Sequence, residues 1–213
     1  MQSRTTPCAS RGSQAWSTFV RNHARSVLAC DFFVAVTATF RIVYVFVVLE
    51  VGRRRIVHWN VTTHPTADWA AQQFRMVVSG DQPHRYVIHD RDSIFSEGVD
   101  RSVAAMSLTV LRTPVRAPQA DAFCERLVGT IRRECLDFMI PLNERHLRWI
   151  LQLWVAHYNR GRPHASLGPG LPDPPSDRVA ASNDHRLPEG HRVIATPILG
   201  GLHHEYRVEP NAA

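Results

Sequence analysis

The chain has 213 residues, 44% hydrophobic and 21% charged, the composition of one folded domain rather than a disordered or multidomain protein. Arg41 divides the apolar stretch 32–49, so no uncharged run approaches the roughly 18 residues a membrane helix needs, and the polar N-terminus lacks a signal-peptide pattern. A cytoplasmic chain without membrane attachment is expected. The net charge is +6, from 25 basic and 19 acidic residues, and every basic residue is arginine. Such a surface suits a polyanion through planar, bidentate contacts to phosphate, although genomic base composition produces the same bias. The excess predicts salt-sensitive affinity for nucleic acid and says nothing about catalysis.

Residues 1–27 are polar and without sustained periodicity, which predicts a flexible lead containing a short helix around 15–23. Segments 28–39, 41–51 and 55–61 are rich in Val, Ile, Phe, Tyr and Thr, with a turn signal at Gly52, and predict three consecutive strands in an antiparallel meander. His64-Pro65-Thr66 opens a helix carrying Trp69, Gln73 or Phe74, and Val77 at three- to four-residue spacing, with Gly80 as its stop. A short strand at 86–89, a small helix near 99–106 and another strand at 108–113 follow. Pro114 and Pro118 bracket a loop, and 120–137 reads as a helix with Phe123, Leu127 and Ile131 on its apolar edge. Asn143 caps a further helix whose Leu147, Ile150, Leu151, Trp154, Val155 and Tyr158 form a buried stripe. Eight of the fourteen prolines lie beyond Arg160, so the C-terminal region is expected to be mostly extended and loosely packed, with a terminal hairpin around 194–209.

Cys8, Cys30, Cys124 and Cys135 have neither C-x-x-C spacing nor a zinc-finger histidine pair, and the twelve histidines contain no metalloprotease motif. Free thiols are expected, with Cys124 and Cys135 as small buried apolar groups. Three acids stand out by position. Asp31 sits inside the apolar run Leu28 to Phe33, where an ionised carboxylate needs a partner. Asp90 ends a strand, with Asp92 as a nearby competitor. Glu125 follows Phe123 by two residues and so leaves the apolar edge of its helix. Carboxylates from separate elements could hold two hard divalent ions that clamp both oxygens of a phosphoryl transfer; each taken alone reads more simply as a solvated cap or surface ion pair.

Four strings occur in order: Ala29-Cys30-Asp31-Phe32-Phe33; Ile88-His89-Asp90-Arg91-Asp92-Ser93; Thr113-Pro114 to Pro118 with Ala122-Phe123-Cys124-Glu125-Arg126; and His157-Tyr158-Asn159-Arg160 with Arg162-Pro163-His164. Together they resemble the catalytic core of integrases and insertion-sequence transposases with an Asp, Asp, Glu triad, the retroviral integrase-like superfamily, over about residues 15–175. The 34 residues between Asp90 and Glu125 are close to the interval the resemblance implies. The implied fold is α/β and ribonuclease H-like, a mixed five-stranded sheet flanked by helices. The implied domain plan is a lead at 1–27, an integrase-like core at 28–165 and a proline-rich extension at 166–213.

The resemblance further implies Asp31, Asp90 and Glu125 as catalytic, metal-binding residues, holding two Mg²⁺ ions with Mn²⁺ as a substitute. Arg126, Arg132 and Arg133 are candidate DNA contacts, and a solvated basic face accounts for them equally. Arg132, seven residues after Glu125, shares its helix face. Glu134 lies outside the motif, so a surface pair with an arginine is expected. His157, Tyr158 and Asn159 are expected to be structural. Asp121 stands where many relatives carry Asn. Full-length members usually carry an N-terminal helix-turn-helix region, and only thirty residues precede Asp31. The expectation is a shortened copy, one product of a split gene, or a core that relies on a separate end-recognition subunit. The implied function is metal-dependent DNA cleavage and strand transfer, in DNA integration and recombination, by a homo-oligomer acting on element ends and target DNA. The alternatives are a catalytically inactive DNA-binding remnant and a plain nuclease of the same fold.

Overall fold

The β-branched and aromatic runs near the start of the chain pair as the expected antiparallel meander: β1 (Val27–Val36), β2 (Ile42–Glu50) and β3 (Arg55–Thr62). Two short strands, β4 (Tyr86–His89) and β5 (Thr109–Arg112), add parallel to the free side of β1. The result is a mixed five-stranded sheet in the order β3-β2-β1-β4-β5. The computed structural model describes residues 11–78, 83–90, 94–112, 122–168, 170–174 and 187–211. Cys8, Gly80, Asp92, the loop at 113–118 and Asp121 lie outside them.

Alternation along the strands sorts side chains between two helical layers. Leu28 and Cys30 of β1, with Phe46 and Val48 of β2, pack beneath α2 (Ala67–Val77) and α3 (Glu97–Ala105). Phe33 of β1, with Val45 and Val47 of β2, packs beneath α4 (Ala122–Ile131) and α5 (Glu144–Arg160). β2 is covered on both sides, which explains why it reads as an unbroken apolar run rather than an alternating one. Asn143 caps its helix as predicted, accepting from the His146 amide at 2.9 Å, and Thr66 caps the other, accepting from the Trp69 amide at 3.2 Å. Gly52, in the β2–β3 turn, is required by close approach, since a Cβ there would stand 3.0 Å from the Arg25 backbone.

Three features differ from the expectations. The first helix, α1 (Arg11–His23), is longer than 15–23 and is docked: Val20 is buried with Val27, Ala29, Ile88 and Cys124, and Phe19 meets Tyr86 edge-on at 5.2 Å. The helix expected over 120–137 is α-helical only to Ile131 and continues as a wider π-turn, Arg132–Leu136, which buries Cys135. The C-terminal hairpin, β6 (His191–Ile198) and β7 (His203–Pro210), is fastened to the domain although most of its surface is exposed. Leu199 at its turn enters the core, His157 Nδ1 meets Glu205 at 2.9 Å, and His203 Nε2 donates to the Glu134 carbonyl at 2.7 Å.

Candidate active site

Sheet register sets the first two acids side by side. In the parallel β1–β4 pair, Cys30 lies opposite His89, so Asp31 and Asp90 are the next residues along adjacent strands. Both Ala29 and Ile88 pack with Cys124 of α4, on the opposite face from Cys30. The alternation that puts Ala29 and Phe33 on the α4 face puts Asp31 there too, and Asp90 follows Ile88 to the same face by two residues. Asp31 is half-buried, and its Oδ1 accepts the Phe32 amide at 2.7 Å.

A buried histidine supports the end of β4. His89, 2% exposed, lies on the sheet face away from α4, stacked on Phe95 at 4.5 Å. Its Nε2 meets Asp100 of α3 at 2.9 Å and its Nδ1 donates to the Asp90 carbonyl at 2.6 Å. The main chain of Asp90 is thereby tied to α3. The sequence carries one signal of this pair, a histidine directly before Asp90 with an acid in the next helix.

Glu125 follows Cys124, the residue through which α4 contacts Ala29 and Ile88, and is exposed. Arg132, seven residues on, reaches down to β1: its guanidinium donates to the Val34 carbonyl at 3.3 Å and lies 5.9 Å from the Phe33 ring centroid. Arg126 and Arg133 are exposed. Glu134, the other acid of this region, is engaged as expected, accepting from Arg162 Nε at 2.7 Å and Nη2 at 2.6 Å. This hydrogen-bonded pairing raises the Arg162 pKa against the opposing effect of burial.

The motif at 157–159 is structural. Tyr158 is buried, and burial pushes its phenol pKa up to about 12. Asn159 accepts from the Ile56 amide at 3.0 Å and donates to the Ile56 carbonyl at 2.9 Å, fastening α5 to β3.

Three carboxylates offer the hard oxygen donors that Mg²⁺ and Mn²⁺ take, so the donor chemistry fits a divalent ion. Among the described residues no three His, Cys, Asp or Glu side chains are gathered closely enough to hold one. The pair at Asp31 and Asp90 is brought together by strand register; Glu125 is carried by the helix above. Among the described residues no helix is long and apolar enough to cross a membrane.

Residues 106–172 match the family model described as Integrase core domain, a span that contains Glu125 but neither Asp31 nor Asp90. The catalytic domain of Mos1 mariner transposase is similar in structure, with a TM-score of 0.57 and 12% identity over 68% of this chain and 79% of that one. It has also been solved with raltegravir and Mg, and with raltegravir and Mn. The catalytic core domain of BIV integrase is similar with a TM-score of 0.51 and 13% identity, over 70% of this chain and 91% of that one. A chain in the simian T-cell lymphotropic virus intasome, solved with PP2A regulatory subunit B56 gamma, gives 0.55 and 10% over 87% and 67%. The comparison with curated proteins found no match. The fold is ribonuclease H-like, that of transposase and integrase catalytic domains.

Proposed function

We propose that this chain is a polynucleotidyl transferase of the transposase and integrase type, with Asp31, Asp90 and Glu125 as its metal-binding triad. The observation that carries the reading is the register of β1 against β4, which brings two carboxylates to neighbouring positions on the sheet face that α4 covers, with Glu125 on that helix. Magnesium ions, with manganese as a substitute, match these donors, and once bound they supply Lewis-acid stabilisation to the attacking and leaving oxygens. The metal-containing Mos1 structures are in keeping with this.

The reaction has two displacements at phosphorus. Water attacks a phosphodiester at the element end and releases a 3′-hydroxyl; that hydroxyl attacks a target phosphodiester, forming the new bond and freeing a target 3′-hydroxyl. Asp31 and Asp90 are positioned by the sheet, and His89 holds the main chain at Asp90 in place. Arg132 contacts β1 and carries positive charge beside the Glu125 face; with Arg126 and Arg133 it serves the phosphate backbone. The partners are element-end and target DNA, in a homo-oligomer.

The test is strand joining on oligonucleotides with Mg²⁺, wild type against Glu125→Gln. Joining by the wild type and not by the variant is expected. Equal joining by both would remove the triad assignment, and cleavage without joining would leave a nuclease.

A further inference from the structure

A second concave surface lies across α4 from Glu125. Phe123, Arg126 and Thr130 recur at three- to four-residue spacing and line one flank of the helix, facing Leu49 and Arg54. Glu125 and Arg132 share the other flank, where Arg132 bonds to β1. The surface comprises two cavities of about 530 and 140 Å³, which have Arg54, Phe123, Arg126 and Ser166 in common. The larger is closed by α1 through Trp16 and Arg21, the smaller by Tyr158 and His164.

We propose that this groove binds a single strand of DNA, its phosphodiester on Arg54 and Arg126 and an unstacked base against the aromatic wall. The choice of polyanion rests on the DNA-processing reading above.

The charge is uncompensated. Among the described residues neither Arg54 nor Arg126 has a carboxylate within ion-pair distance, whereas Arg162 at the same groove is committed to Glu134. Arg54 is half-buried, and burial pulls its guanidinium below the ordinary pKa; Tyr158 opposes this and neighbouring Arg126 adds to it. Two guanidinium groups that repel one another on a concave wall gain when an anion lies between them. Arg54 is also held in place: its guanidinium lies 4.4 Å from the Phe123 ring centroid, and its backbone has φ 60°, a left-handed conformation unfavourable for a residue other than glycine.

Two polar atoms complete the site. His164 is 8% exposed, and its ring is hydrogen-bonded to the Tyr158 main chain, while Nε2 has no hydrogen-bond partner among the described residues. Burial, reinforced by Arg162, lowers its pKa, so the ring is neutral and Nε2 is an acceptor. Trp16 Nε1 is likewise a buried donor without a partner among the described residues, at the wall of the larger cavity. A nucleotide brings both donors and acceptors beside its phosphate. Stacked bases in a duplex cannot meet aromatic faces, and the bases of a single strand can.

Fluorescence anisotropy with a labelled single-stranded oligonucleotide and with its duplex, in EDTA, tests the assignment without any metal. The wild type is expected to prefer the single strand. Arg126→Ala and Arg54→Ala are each expected to weaken that binding at least about fivefold and to reduce the slope of log K against log salt by about 0.7, one phosphate contact on a single strand. Phe123→Leu weakens it about tenfold through lost stacking with the slope unchanged. Arg75→Ala, on the other face of the sheet, binds like wild type. Arg126 is exposed on a helix, so its variant keeps the test valid if Arg54→Ala fails to fold. Equal single-strand affinity and slope in Arg126→Ala and wild type would overturn the groove, as would absence of any single-strand preference. Arg126-dependent binding by a chain that joins no DNA would overturn the catalytic reading and leave the groove standing.

Discussion

Glu125 and Glu134 stand nine residues apart on one continuous helical segment in different surroundings, and a pair of isosteric substitutions tests the role proposed for Glu125. Glu134 accepts two charge-assisted hydrogen bonds from Arg162, at 2.6 and 2.7 Å, with the two side chains 31% and 28% exposed. A bond of this kind in the interior contributes about 1.5–3 kcal/mol. Partial solvation reduces that, and Gln keeps one acceptor oxygen, so Glu134→Gln is expected to cost about 1–2 kcal/mol. For a domain of this size that corresponds to a drop of about 2–8 °C in Tm. Glu125 is exposed and no hydrogen bond or ion pair of its side chain is seen among the described residues, so Glu125→Gln is expected to change stability by less than about 0.5 kcal/mol. Its effect falls on joining instead, at least about a hundredfold, which is about 2.7 kcal/mol in barrier height. Thermal melts and strand-joining assays on both variants give the full comparison. Loss of joining in Glu134→Gln at unchanged Tm, with Glu125→Gln active, would refute the assignment and exchange the two residues.

Burial lowers the pKa of His58, His84 and His164 below the ordinary 6.5. The unfolded chain therefore binds more protons than the folded one just below pH 6.5, and urea midpoints should fall as pH drops from about 6.5 towards 5. Burial raises Cys135 from 9.0 and Tyr158 from 10.0, each to about 12, so the unfolded chain loses protons first in alkali and stability should decline above pH 9. Flat midpoints across either range would contradict the burial of these groups. Trp154 is wholly buried between α5 and the sheet, and Trp154→Ala should cost about 3–5 kcal/mol in chemical denaturation. Its Nε1 has no hydrogen-bond partner among the described residues, so Trp154→Phe should cost less than half as much. A Cβ at Gly161 would fall on the Glu205 side chain, so Gly161→Ala should displace Glu205 from His157 and speed proteolysis of the β6–β7 hairpin. In a double-mutant cycle with Glu205→Ala, the two effects should not add.

Much of the fold was written locally. The meander at 28–61, the capped helices at Thr66 and Asn143, the Leu147 to Tyr158 stripe and the terminal hairpin follow from periodicity, β-branched composition and capping residues, each acting over a few positions. The three acids were also singled out from strand position and helix face, and the family resemblance ordered them. Local pattern determined what each segment becomes and which side it buries.

Pairing between distant segments was decided only by the tertiary structure. Nothing near Asp31 in the chain announces that Cys30 sits opposite His89, because register is set by the packing of two faces against helices elsewhere. The same holds for Asp100 beneath His89, Glu134 against Arg162, and the Arg54–Phe123 wall of the groove, each joining elements far apart in the chain. α1 and the hairpin read as polar, loosely held segments because a single buried residue such as Val20 or Leu199 leaves almost no periodic trace, yet in three dimensions that residue completes a core. Hydrophobic burial is summed over contacts from the whole chain, so sequence by itself establishes the elements and their buried faces, while the folded chain alone settles which charges meet.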